Sequence, residues 1–372
     1  MSIRRKANGR YEVRWTEGGK RHGRTFDRKS DAAAFELDAR RRRQLGGLLV
    51  PDLDVTLAEF CAEWWLLHVV PNLAAQTQLN YAWLRDKHVL PRLGNYRLTE
   101  ISPRLVNRYR AELLVDGVGP PTVRKALAVL QSMLAMAEQE ERIASNPVAK
   151  IRKPSQLPAR RADPLSPYTV ERLRRELGMR DATLVSVLAY AGLRPGEALA
   201  LRWNRVGERS ISVESSIALG KETRTKTGRA RTVRLLGPLA QDLSEWREAG
   251  SRSGSCELVF PRADGSPWVP DDWKRWRRRI FQPASRRIGL QGARPYDLRS
   301  SFVSLLIAEG RTVLDVAMQA GHGAETCLRH YARLFAEQDL DQRASAEDQI
   351  SSARRRVRGV DPGRGLDADA DS

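Results

Sequence analysis

The chain has 372 residues, enough for two or three domains, and its 41% hydrophobic and 29% charged content allows a buried core, which excludes a wholly disordered chain. Lys and Arg number 64 against 45 Asp and Glu, and a formal charge of +19 predicts a polyanionic partner, nucleic acid ahead of an anionic membrane surface. Three scattered cysteines without a CxxC pair, and five histidines without HExxH, argue against a disulfide framework and against metal chemistry, and fit a reducing cytoplasm.

In chain order, Met1 leads into the polar "SIRRKANGR", which is no signal peptide. The first fifty residues carry 14 basic and 6 acidic side chains. "RYEVRW" alternates Tyr11, Val13 and Trp15 with polar neighbours, Gly18-Gly19 offers a turn, and "RHGRTF" follows, which predicts a small β-hairpin. Ser30 reads as the N-cap of a helix running to the Arg40–Arg43 cluster. A basic module over 1–50 is too small for much core and is expected to dock on DNA.

A helical domain is expected over 55–146. "TLAE" is a capping box built on Thr56 and Glu59. "SPRLVNRYRAELLVDG" offers Ser102 as cap, Pro103 in the first turn and Gly117 as stop. "PTVRKALAVLQSMLAMAEQEERI" puts Val123, Leu127, Leu130 and Leu134 on one face. From 147 to 167, five prolines among Lys150, Arg152, Lys153, Arg160 and Arg161 predict an extended basic linker.

Residues 168–335 mix helices ("TVERLRREL", "DATLVSVLAYAG") with two strand-like runs, "SISVESSI" and "RTVRLL", separated by the basic loop "KETRTKTGRA". The longest mostly apolar run, "LVSVLAYAGL", has about half the ~20 residues that a membrane-spanning helix needs. No basic amphipathic anchor or lipidation signal is present either, so no membrane partner is expected. From 336 the balance reverses to 6 basic and 9 acidic residues, and a helix there should give way to a disordered acidic tail, "GVDPGRGLDADADS". The fold class is thus mainly α with small β elements (α+β).

Four islands in the last domain are rich in groups that handle phosphate. "AGLRPGEALALRW" holds Arg194 where an apolar helix ends, and "RTKTGRARTVRL" holds Lys226 between two threonines at a hairpin tip or edge. "ARPYDLRSSF" places Tyr296 three residues before Arg299, and "GHGAETCLRHY" joins His322 to Tyr331. Each is weak alone: an arginine at a helix end is commonly a structural ion-pair partner, and Tyr331 beside Leu328, Leu334 and Phe335 could be core.

In this order and spacing, over about 140 residues, the four resemble the boxes of the tyrosine recombinase (phage integrase) family. The upstream helices are similar to that family's core-binding (SAM-like) domain, and the basic start resembles the arm-binding module of some integrases. The resemblance implies that Tyr331 attacks DNA, Arg194 and Arg299 hold the scissile phosphate, His322 assists and Lys226 acts on the leaving group. Glu197 would support Arg194 from behind. The implied product is a 3′-phosphotyrosyl intermediate, and the implied partners are double-stranded attachment-type DNA and a homotetramer on synapsed duplexes. An excision factor or DNA-bending protein could join them, and a cytoplasmic, nucleoid-associated location follows.

The chemistry agrees. Guanidinium forks bind phosphate oxygens bidentately and keep their charge, so two can stabilise a phosphoryl transition state. A phenol of pKa about 10 needs activation at neutral pH. A phosphotyrosyl ester conserves the bond energy, so no nucleotide or other cofactor is expected, in keeping with the lack of a GxxxxGK[ST] loop. One departure stands out: the family usually has histidine where this chain has Tyr296, which is expected to position the phosphate rather than shuttle a proton. The competing readings are a type IB topoisomerase, a chromosome-dimer resolvase and a non-catalytic DNA-binding protein.

Overall fold

The chain folds as two units, Met1–Ala159 and Arg160–Ser372, in a computed structural model that describes residues 2–17, 20–44, 55–155, 164–224, 230–250, 257–336 and 344–359. In the first unit, β2 (Tyr11–Glu17) and β3 (Lys20–Phe26) pair antiparallel as the alternation predicts, with Val13 opposite Arg24 and Trp15 opposite His22. A third strand, β1 (Ser2–Arg5), adds to the free edge of β2 and was not foreseen, because "SIRR" offers only Ile3 to a buried face. The hairpin is therefore a three-stranded sheet. Val13, Trp15 and Ala32 form its small core with helix α1 (Lys29–Gln44). The helix starts at Lys29, so Ser30 lies in its first turn instead of capping it.

Helices α2 (Leu57–Trp64), α3 (Ala75–Leu84), α4 (Pro103–Val115) and α5 (Pro120–Gln139) surround a second core. Thr56 and Glu59 close the capping box, and the Ser102 hydroxyl accepts the Leu105 N–H. Val123, Leu127, Leu130 and Leu134 are all fully buried. The first part of the proline-rich stretch is no free linker: Val148 and Ile151 pack into this core, and Arg110 and Arg124 donate to the carbonyls of Arg152 and Pro154. Two apolar side chains among the prolines had enough surface to bury to hold the segment down. Residues 156–163 lie outside those described.

The second unit begins with α6 (Pro167–Arg175) and α7 (Met179–Tyr190), the latter buried on every side from Thr183 to Tyr190. The short α8 (Pro195–Leu199) leads to β4 (Ser210–Val213), β5 (Ser215–Ala218), β6 (Lys221–Arg224) and β7 (Arg231–Arg234). Among the described residues of this unit β4 pairs with β7 and β5 with β6, so the expected loop begins as a strand, Lys221–Arg224. Leu219 and Gly220, both at positive φ, make the tight turn between β5 and β6. Leucine there hid the hairpin from a reading based on Asn-Gly or Asp-Gly. Lys226 falls in 225–229, outside the described residues.

Helices α9 (Gly237–Ala249), α10 (Pro270–Trp276), α11 (Gln282–Arg287), α12 (Asp297–Ala308), α13 (Val313–Ala320), α14 (Ala324–Ala336) and α15 (Ala346–Gly359) complete the unit. Buried α7 and α12 cross closely at Gly192 (φ 60°), where a Cβ would collide with the Phe302 ring. The last helix packs on α6 and α9 of its own chain: Arg354 donates to Glu171, Asp242 and the Pro238 carbonyl, and Ile350 is fully buried. The expected acidic tail, 360–372, is outside the described residues.

Three π-helical turns, Trp65–Val69, Arg85–Val89 and Arg277–Phe281, share one cause. Each ends two residues before a proline (Pro71, Pro91, Pro283), which lacks an N–H and crowds the carbonyl four residues back. The residue just before each proline instead donates to the carbonyl five back: Val70 to Trp65, Leu90 to Arg85, Gln282 to Arg277. The helices continue past the prolines because the turn widens.

Candidate active site

Arg194 sits in extended conformation at the start of α8, and Pro195 opens the helix behind it. Its backbone N–H donates to one Glu197 oxygen at 2.8 Å and its Nη1 to the other at 2.8 Å, while Nη2 donates to the Gly321 carbonyl at 2.5 Å. About a third of the side chain (37%) stays exposed, so this guanidinium can still meet a ligand. Arg299, in the first turn of α12, is 3% exposed and donates to the carbonyls of Gly192 and Ala320. The sequence reading missed a third arginine. Arg231, at the start of β7, forks onto both Glu197 oxygens (2.9 and 2.6 Å) and donates from Nε to the Gln319 carbonyl at 3.0 Å.

Three consecutive carbonyls at the end of α13, those of residues 319, 320 and 321, thus each accept from a different arginine. A helix C-terminus leaves its last carbonyls without internal partners and carries partial negative charge, so it attracts guanidinium groups. Gly321 takes the left-handed conformation (φ 67°), and a Cβ there would lie 2.9 Å from the Arg231 guanidinium. Both facts require glycine at that turn. The turn delivers His322, whose backbone N–H donates to the Ala317 carbonyl.

The His322 ring stacks on the Tyr331 ring at 6.3 Å between centroids and 17° between planes. Its Nδ1 lies 3.4 Å from the Gly323 carbonyl, and its Nε2 is buried with no hydrogen-bond partner among the described residues. Burial, and then the charges of Arg299 and Arg194, push the imidazole below its ordinary range. Tyr331, on α14, is 8% exposed, and its Oη lies 3.1 Å from the hydroxyl of Ser300 on α12, a second group the sequence reading missed. Burial raises the phenol above its ordinary value, against the pull of Ser300 and of the Arg299 charge.

Tyr296 stands at the N-terminal boundary of α12 with half its surface exposed (51%), and its carbonyl accepts the Arg299 N–H. Of the six residues singled out from sequence, Arg194, Arg299, His322 and Tyr331 are brought together, Tyr296 lies at the rim one turn from Arg299, and Lys226 is outside the described residues. Burial works against ionising Glu197, but the Arg231 fork and Arg194 hold its carboxyl down to about 2. Burial and the neighbouring Arg194 lower Arg299 to about 10, which leaves it charged at neutral pH. Arg194 and Arg231 share the Glu197 carboxylate and Arg299 has carbonyls only, an excess of positive charge that favours an anion. No group of three or more His, Cys, Asp or Glu residues that could hold a metal occurs among the described residues.

The buried phenol, the stacked imidazole and the clustered guanidinium groups thus lie together in the second unit. Residues 167–338 match the phage integrase family, and residues 56–114 match the phage integrase N-terminal SAM-like domain. The chain belongs to the phage integrase family, whose tyrosine recombinase members share its helix-rich fold with small sheets. It is 27% identical to the prophage phiRv2 integrase of Mycobacterium tuberculosis over 354 residues, 89% of this chain and 91% of that one. Among solved structures it resembles the Tn1549 transposon integrase in complex with a circular intermediate DNA (TM-score 0.63, 16% identity, 80% of this chain and 99% of that one). It also resembles a lambda integrase tetramer bound to a Holliday junction (TM-score 0.60, 16% identity, 86% and 95%).

Proposed function

We propose that this chain is a site-specific tyrosine recombinase that integrates or excises a phage or other mobile element. Tyr331 Oη attacks the phosphorus of one DNA strand, the bond to the 5′ oxygen breaks, and a 3′-phosphotyrosyl ester remains. Arg194 and Arg299 neutralise the non-bridging oxygens, Glu197 and Arg231 hold Arg194 in place, and His322, protonated beside that anion, donates from Nε2 to the same phosphate. Lys226 protonates the departing 5′ oxygen. Rejoining runs the same steps backwards, with phenolate as leaving group and the 5′ hydroxyl as nucleophile. Tyr296, half exposed at the rim, steadies the phosphate as a hydrogen-bond donor.

The observation that carries this reading is the surplus of guanidinium charge around a buried phenol, three to one against carboxylate. A protein that only binds DNA would gain more from the same arginines on its surface, where phosphate contacts are made without a desolvation cost. The lambda integrase tetramer supports a tetramer on two synapsed duplexes here as well. Excision would be directed by an accessory factor or a DNA-bending protein acting on that assembly.

Footprinting the purified chain on candidate attachment DNA identifies the core site. A nicked suicide substrate built on it should trap an SDS-stable protein–DNA adduct, absent in Tyr331→Phe while that variant still binds the DNA. A wild-type chain that binds the site and never forms the adduct would make this a binding protein. Relaxation of supercoiled plasmid without synapsis would point to a topoisomerase.

A further inference from the structure

We infer that Ser300 is a catalytic residue of the transesterification, its hydroxyl donating to the Tyr331 oxygen whenever that oxygen carries negative charge. The inference rests on the recombinase reading above and adds a group to it.

Three observations meet at this contact. The Ser300 Oγ lies 3.1 Å from the Tyr331 Oη, and both residues are buried, at 1% and 8% exposure. Ser300 follows Arg299 directly in the first turn of α12, so the residue that fixes the cluster to Gly192 and Ala320 also fixes this hydroxyl. No other hydrogen bond of the Tyr331 Oη is seen among the described residues, so Ser300 is the group that orients the phenol.

A hydroxyl suits both halves of the reaction. Serine carries one donor and two lone pairs and rotates to suit its partner. While Tyr331 is a phenol, Ser300 can accept from it. Once the phenol proton has left to solvent, Ser300 turns and donates to the phenolate oxygen. The phenolate attacks phosphorus, the bond to the 5′ oxygen breaks, and Lys226 supplies the proton that the leaving oxygen takes up. In rejoining, the 5′ hydroxyl attacks, the tyrosyl–phosphorus bond breaks, and the electron pair returns to an oxygen that already has a donor waiting. Burial makes such a donor matter, because water cannot replace it and a hydrogen bond to a charged oxygen is about twice as strong as a neutral one.

The test is the rate of adduct formation on the nicked substrate as a function of pH, with the full-length chain. Ser300→Ala should bind DNA as the wild type does and form adduct about 10- to 100-fold more slowly at neutral pH, the loss expected for one hydrogen bond to a charged group. The deficit should hold constant while the phenol stays protonated and shrink only once pH passes the wild-type phenol's pKa, because hydroxide then makes the phenolate that the serine would have favoured. A deficit that stays the same size through and beyond that pKa would mark Ser300 as packing only and overturn the proposal. So would an alanine variant as fast as the wild type. Ser300→Cys, close in size and a weak donor, stands in if the alanine variant does not fold; its smaller deficit must show the same dependence on pH or the proposal fails. Absence of adduct from the wild type itself would sink the recombinase reading along with it.

Discussion

Two clusters of buried charge in the second unit use the same residue types in different proportions. Beneath α15, Arg174 and Arg354 meet Glu171 and Asp242, two cations on two anions, with the Tyr190 and Ser186 hydroxyls donating to the same carboxylates. Around α13, Arg194 and Arg231 share Glu197, while Arg299 has backbone carbonyls alone. The first cluster balances its charge and ties the last helix to α6 and α9. The second is two negative charges short, and under the proposed function a phosphodiester would supply one of them. A buried arginine is thus poor evidence for a functional site until its counter-charges have been tallied.

Breaking the balanced cluster should cost the most. Asp242→Asn leaves Arg354 and Arg174 short of a buried partner and should destabilise the protein by about 3–5 kcal/mol in urea unfolding. The folded fraction should form adduct at the wild-type rate. Loss of chemistry without loss of stability would erase the distinction between the clusters.

Acid tests the other cluster. Glu197 is held at about 2 against 4.5 in an ordinary carboxyl, a depressed value. Its contribution to stability is therefore fully present above the ordinary value and disappears as pH falls from 4.5 through 2. The difference is worth about 3 kcal/mol. Unfolding free energies of wild type and Glu197→Gln, measured at pH 6 and at pH 3, should converge toward the lower pH.

The smallest expected effect sharpens the comparison most directly. Inorganic sulfate should raise the melting temperature by a few degrees, on the order of 1 kcal/mol, by filling the anion-deficient cluster. Arg194→Ala should remove that response, and a variant of the balanced cluster should keep it.

The sequence made four of the assembled side chains legible because each sits in a short motif whose spacing survives without the fold. Arg194 follows a glycine break, Arg299 opens an apolar helix, and His322 and Tyr331 bracket one helix start. Arg231 was invisible for a physical reason: it is one of many basic residues in "RTKTGRARTVRL", and only the ladder of β4 with β7 turns it toward Glu197. Ser300 looks like any serine at the head of an apolar helix, and its partner is 31 residues away. Helix faces such as Val123 to Leu134 could be read from period alone, whereas β1 and β6, short and polar, take their strand conformation from a neighbour's edge. The π turns are hidden likewise, since a proline normally announces a helix end.

The occupied carbonyls of α13 also bear on how the resting enzyme waits for DNA. Guanidinium groups with no anion would repel one another and swing into water. Here the helix end serves as a placeholder ligand that keeps all three arrayed. Under the proposed mechanism, engaging a phosphodiester would be an exchange of oxygen acceptors at nearly fixed donors, with little rearrangement left for strand cleavage.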